Sequence, residues 1–340
     1  MFEQILEKCL MHETLTEEEA YRAMMELMTG TVNDSQIASF LTILRFRGET
    51  VDEMVGFVRA MREKMLALDV DEEVIDTCGT GGDGSGTFNI STAVALVVSS
   101  LGVKVAKHGN RAVSSKSGSA DVFEHLGVPI QTTALEAKEA LRTNGLTFLF
   151  APLYHEAMKY VAKTRRDLRF RTVFNVLGPL VNPVRPKRQL IGVHSLDYAK
   201  KMAETLKRLH SIHVVFVTSR DGLDECSIAA ETDVVELKEG RILQYTLAPE
   251  DVGLRRGLLT HLRVNSAEES ARLIEQIFAG EANESATNIV LFNAGVALYV
   301  AGIVSDAAAG VALAKEALDS KRALAHLQQL RGERVCLNKF

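Results

Sequence analysis

Apolar residues recur at helical spacing through the first 66 positions. Tyr21, Met24, Met25 and Met28 form one stripe, Ile37, Phe40, Leu41 and Leu44 a second, and Met54, Val58, Met61 and Met65 a third. Repeats of three and four residues put side chains on one helix face, so this stretch predicts consecutive amphipathic helices with the methionines in a core. Thr16 with Glu19 and Thr50 with Glu53 have the spacing of a capping box, in which each side chain satisfies a free backbone amide at a helix start.

The texture changes after the charged stretch Asp69 to Glu73. Short β-type runs at Val74–Asp76 and Val103–Ala106 flank a helical run at Ser91–Leu101, and runs at Gln189–Val193 and His213–Thr218 flank another at Tyr198–Leu209. This alternation predicts an α/β class: a mostly parallel central sheet flanked by helices, with a small helical domain before it. Residues 1–69 are expected to form the helical domain, joined in space by part of 160–185, and residues 70–340 the α/β domain. The basic stretch from Lys159 to Arg171 predicts a helix ending near its arginines. Pro179 and Pro183 in FNVLGPLVNP then predict a turn-rich loop. From Ser266 onward the pattern is mostly helical.

Composition narrows the function classes. With 46% hydrophobic and 24% charged residues, 340 residues can bury a substantial core. A formal charge of -5 and a pI near 6.0 give no global attraction for nucleic acid or an anionic membrane, so anion binding must come from local clusters. Cys9, Cys78, Cys226 and Cys336 are too scattered for a zinc or redox motif and fit reduced thiols in a cytoplasmic protein. The acidic N-terminus is unlike a signal peptide. The apolar run Ile289–Val304 contains Asn293 and falls short of the ~20 residues of a membrane span, so it predicts a buried helix.

Four clusters carry candidate chemistry. The first is GTGGDGSGTFNIST, residues 79–92, between a strand and a helix. Gly79, Gly81 and Gly84 satisfy GxGxxG, but a dinucleotide site also needs an acid at the end of the second strand, and Lys107 stands there. Glycines that let backbone amides approach an anion, with Asn89, Ser91 and Thr92 at a helix start, suit a phosphate or diphosphate; a tight turn capped by Ser91 is the bland alternative. The second is KHGNRAVSSKSGSAD, residues 107–121, where Lys107, Arg111 and Lys116 stand among four serines that can donate to phosphate. The third is DGLDE, residues 221–225, whose adjacent Asp224 and Glu225 can hold a hard cation that bridges to phosphates. The fourth is the Arg165–Arg166 pair: a guanidinium fork suits a carboxylate, and a basic helix end stabilised by its dipole fits the same letters.

With APLYHEAMK at 151–159, RTVFNVLGPLVNP at 171–183 and FNAG at 292–295, these clusters occur in the order and spacing of the anthranilate phosphoribosyltransferase family, which the sequence resembles over essentially its whole length. The resemblance implies a cytoplasmic homodimer that takes phosphoribosyl diphosphate (PRPP) with Mg2+ as donor and anthranilate as acceptor, without nucleic acid or membrane partners. Matched motif by motif, Gly79, Gly82, Asp83, Thr87, Asn89, Ile90, Ser91, Thr92, Lys107, Ser115 and Ser119 would contact PRPP. Ser91, Asp224 and Glu225 would serve the metal, and Gly79, His108, Asn110 and Arg165 would meet anthranilate. A nucleoside phosphorylase of related fold needs one phosphate and no acidic metal pair, so DGLDE favours the diphosphate donor. No covalent nucleophile or general base is assigned.

Overall fold

Four helices open the chain: α1 (Phe2–Leu10), α2 (Glu17–Leu27), α3 (Asp34–Arg47) and α4 (Val51–Lys64). The structure is a computed structural model that describes residues 2–112, 116–131 and 133–332. Thr16 and Thr50 cap α2 and α4 as reciprocal boxes with Glu19 and Glu53, and Asn33 with Gln36 does the same for α3. The three apolar stripes turn inward, and Met24, Phe40, Leu41, Leu44, Met54 and Val58 are fully buried.

The α/β part follows as β1 (Val74–Gly79), α5 (Ile90–Ser100), β2 (Lys104–Gly109), α6 (Ser119–His125), α7 (Ala134–Asn144), β3 (Leu146–Phe150), α8 (Ala151–Tyr154), α9 (Lys159–Leu168) and α10 (Val173–Leu177). Next come β4 (Arg188–Gly192), α11 (Leu196–Arg208), β5 (His213–Ser219), β6 (Thr232–Lys238) and β7 (Arg241–Leu247). The chain then continues through α12 (Ala267–Ala279), α13 (Glu284–Ala301), α14 (Ala307–Asp319) and α15 (Arg322–Leu330). The seven strands lie in the order β3-β2-β1-β4-β5-β6-β7; β1 to β5 are parallel, and β6 and β7 add an antiparallel edge. Strands β1 and β2 run further than their apolar letters, to Gly79 and Gly109, so Lys107 and His108 lie inside β2.

One face of the sheet packs on α5 and the C-terminal helices, where α13 is the buried helix expected from its apolar run. Among the described residues no helix is long and apolar enough to cross a membrane. Cys9, Cys78 and Cys226 are buried free thiols, and Cys336 lies outside the described residues. Ile191, Val214 and Phe216 on the other face of the sheet join a core shared with α1 to α4, α10 and α11. Helices α9 and α10 lean on this N-terminal layer: Val161, Val173 and Phe174 enter its core, and Asp34 accepts from Thr164 Oγ1 at 3.0 Å and pairs with Lys163. The turn-rich loop expected after the arginines is instead α10 followed by a single 3-10 turn, Gly178–Val181. Pro179 is tolerated there because amides in a first helical turn have no internal partner to lose.

Candidate functional site

Parallel strands end on one edge of a sheet, so the loops after β1, β2, β4 and β5 converge there, around the point where the order reverses between β1 and β4. The glycine turn leaves β1 and the DGLDE loop leaves β5. They meet at Asp224, whose Oδ2 accepts the Gly81 amide at 2.9 Å. A Cβ on Gly79 would lie 2.9 Å from the same oxygen, so the approach of that carboxylate requires a glycine there.

At the start of α5, Asn89 rather than Ser91 is the cap. Its Oδ1 accepts the Thr92 amide at 3.0 Å and the Ser91 hydroxyl at 3.3 Å, and its Nδ2 reaches Ser117 O at 2.9 Å and Ser119 Oγ at 3.4 Å. One asparagine therefore ties the glycine turn to the serine-rich loop and holds the Ser91 hydroxyl. Lys107 reaches the same place from β2: its Nζ donates to Ser91 Oγ at 3.0 Å and to Thr77 O at 2.5 Å. Ile90 is buried at the first helical position and offers only backbone. Thr87 lies to one side, its hydroxyl 3.3 Å from Ser85 Oγ. Ser115 lies outside the described residues.

The electrostatics define the charge this pocket can take. Burial pushes Asp224 up to about 6, helped by the Asp83 charge and opposed by the Gly81 amide and Arg171. Burial, then Asp224, raises Glu225 well above the carboxylate range, with Lys107 and the Ser91 amide opposing. Burial lowers Lys107, while Asp76 and Glu225 support its charge. Two crowded carboxylates that resist ionisation fit a divalent cation as counter-charge. Among the described residues no three His, Cys, Asp or Glu side chains gather as a metal cage. Magnesium suits such a pair, since it keeps waters and substrate oxygens in its shell.

The acceptor candidates lie around α10. Arg165 stacks on Phe174 at 5.0 Å, has its pKa lowered by burial, and has no ion pair among the described residues. His108 donates to the Gly178 carbonyl, and its buried Nε2 has no hydrogen-bond partner among the described residues. Segment 173–181 therefore touches Arg165 through Phe174 and His108 through Gly178. Asn110 is exposed, and its Oδ1 accepts the neighbouring Arg111 amide at 2.7 Å, which ties it to its own loop and to neither of those residues. Arg111, expected as a phosphate cation, is committed to Asp121 and Glu124, and Lys116 donates to Asn265 at 3.0 Å.

Sequence reasoning missed His155 and Asp76. The His155 ring lies 5.2 Å from that of His108 and donates to Val181 O, and its buried Nε2 also has no partner among the described residues. Burial lowers the two imidazoles to about 3 and about 4, so both are neutral and each presents Nε2 as a lone-pair acceptor. Asp76 is buried in β1, where it accepts the His108 amide at 3.3 Å and Asn182 Nδ2 at 2.9 Å. The remaining signal for both was weak: a lone histidine in APLYHE and an acid within an apolar strand.

Residues 3–65 match the glycosyl transferase family helical bundle domain, and residues 71–324 match the glycosyl transferase family a/b domain. The anthranilate phosphoribosyltransferase of Geobacillus sp. (strain WCH70) is 63% identical over 335 residues, covering 98% of this chain and 99% of that protein. The crystal structure of anthranilate phosphoribosyltransferase from Thermus thermophilus is similar with a TM-score of 0.89 at 42% identity, over 96% of this chain and 98% of that one. The anthranilate phosphoribosyltransferase from Saccharomyces cerevisiae in complex with PRPP and Mg gives a TM-score of 0.87 at 27% identity, over 97% of each chain.

Proposed function

This chain belongs to the anthranilate phosphoribosyltransferase family, and on that premise we infer that it transfers the phosphoribosyl group of PRPP to the amine of anthranilate. The products are N-(5-phosphoribosyl)anthranilate and diphosphate, a step of tryptophan biosynthesis. The observation that carries this reading is the link between loops: Lys107 bonded to Ser91, Ser91 beside Glu225, and Asp224 bonded to Gly81. One buried cation, two carboxylates and a helix start thus face the same glycine turn.

Departure of diphosphate from the anomeric carbon leaves an oxocarbenium-like centre that the aromatic amine captures, so positioning and charge stabilisation do most of the catalytic work. Lys107 and the turn amides stabilise charge on the departing diphosphate without reorganising, because Thr77 and Ser91 already hold the ammonium. Asp224, Glu225 and the Ser91 hydroxyl would hold Mg2+, which supplies counter-charge and a template for the diphosphate oxygens. Gly82, Asp83, Thr87, Asn89, Thr92, Ser115 and Ser119 complete the proposed donor site. Arg165 offers a fork to the anthranilate carboxylate, and the neutral His108 with Asn110 lines the approach of the amine.

Two copies are proposed to associate in the cytoplasm through the ends of α1 and α3, where Met11 is 71% and Phe46 84% exposed. The test of function is loss of anthranilate fluorescence with PRPP and Mg2+ present, and no loss when either is omitted. Phosphate-dependent cleavage of thymidine in its place would overturn the reading.

A further inference from the structure

Arg171 stands immediately before Thr172, the residue that opens α10 and whose amide donates to Asn175 Oδ1 at 3.0 Å. Its backbone is therefore fixed by a helix start, and α10 is anchored by Val173 and Phe174 in the core shared with the N-terminal helices. From that anchor the side chain crosses to the glycine turn. The guanidinium lies so near Gly82 that a Cβ there would sit 2.6 Å from Nη2 and 3.1 Å from Nε. Its charge is felt by Asp224 on one side and by His194, which touches Thr80 at 3.3 Å, on the other.

Arginines near the site otherwise have protein partners: Arg111 pairs with Asp121 and Glu124, and Arg165 stacks on Phe174. Arg171 has neither a hydrogen bond nor an ion pair among the described residues, although it is half-buried. A half-buried guanidinium with five unused donors, held against the one turn built for an anion, is placed to serve that anion.

We propose that Arg171 is a further donor-side residue: it closes over the glycine turn at Gly82 and gives its charge to the diphosphate end of PRPP. It does so from the short arm that also carries Arg165, six positions earlier in the sequence. This rests on the proposed function only in naming PRPP as the donor.

The experiment compares wild type with Arg171→Gln and Arg171→Lys. Calorimetric titration with inorganic diphosphate in Mg2+ reads the turn alone, steady-state rates read PRPP and anthranilate separately, and thermal unfolding checks the fold. Arg171→Gln is expected to weaken diphosphate binding and raise the PRPP KM by about tenfold, the usual value of a charged hydrogen bond, with a smaller change in kcat. Arg171→Lys is expected to recover part of both. Diphosphate affinity within twofold of wild type in Arg171→Gln, or a lysine variant no better than glutamine, overturns the proposal. Wild type that binds diphosphate but consumes no anthranilate with PRPP overturns the proposed function instead, and leaves the titration to decide on Arg171.

Discussion

Lys107 Nζ donates to Ser91 Oγ at 3.0 Å, which fixes a fully buried ammonium of β2 against the first turn of α5. Burial works against that charge, and Asp76 and Glu225 hold it in place. Lys107→Met leaves both carboxylates without their cation and removes the donor proposed for the diphosphate. The expected result is a fall in kcat/KM for PRPP of about 100-fold, the scale of losing one preorganised donor. Unfolding should also occur several degrees earlier, because breaking a buried pair is costly. Initial rates across PRPP concentrations, with a thermal melt, check both halves; an unchanged kcat/KM removes Lys107 from the donor site.

Asp224 and Glu225 predict the opposite balance. Both folded-state pKa values are raised, so their ionised forms are disfavoured by folding: stability is greater at low pH and is lost as pH rises through about 6 for Asp224. The neutral variant Asp224→Asn, which leaves Glu225 beside Lys107, should therefore unfold at or above the wild-type temperature in a chelator at pH 7.5, while Mg2+-dependent turnover collapses. A lower melting temperature together with retained metal dependence contradicts this account.

The parts of this site that were legible in the sequence are those where residue type and local spacing decide the structure. Thr16 with Glu19, Thr50 with Glu53 and the three apolar stripes act within a few residues, and the helices formed where they stood. Contacts between distant residues were not legible. Arg111 reads as a phosphate ligand until α6 brings Asp121 and Glu124 to it. His155 reads as a solitary histidine until β2 places His108 beside it. Helix start and cap also diverged by two positions: Ser91 looks like the better cap, yet Asn89 takes that role because its amide nitrogen can also reach the serine-rich loop.

The paired histidines set an acid limit on the fold. Burial lowers His108 to about 3 and His155 to about 4, whereas the unfolded chain protonates near 6.5. A depressed folded pKa means that stability is fully present above 6.5 and is lost as pH falls toward the folded values. Each ring should cost about 1.5 kcal/mol between pH 6.5 and 5. Chemical denaturation at those two pH values should show a smaller loss in His155→Gln than in wild type, and an equal loss refutes the linkage.

Arg165 should separate the two substrates. With its guanidinium stacked on Phe174 and free of an acidic partner among the described residues, it is available to a carboxylate. Arg165→Gln is expected to raise the anthranilate KM by about tenfold or more while the PRPP KM moves much less. A change that falls equally on both substrates assigns Arg165 to the arm's packing.

Gly82 and Gly84 provide a matched pair within one turn. Their φ values are +71° and +74°, so alanine meets a similar backbone penalty at either, about 1 kcal/mol. Their surroundings differ: a Cβ on Gly84 meets nothing within 4 Å among the described residues, whereas one on Gly82 collides with Arg171. If strain in the turn were all that mattered, Gly82→Ala and Gly84→Ala would lose stability and PRPP affinity alike. Because the arginine must retreat from the turn in Gly82→Ala, that variant should match Gly84→Ala in melting temperature within a few degrees yet show a several-fold higher PRPP KM. Combining Gly82→Ala with Arg171→Gln tests the cause, since two changes acting through one contact are not additive. The double variant should have a PRPP KM close to that of Arg171→Gln alone, and a fully multiplicative increase would separate the glycine's role from the arginine's.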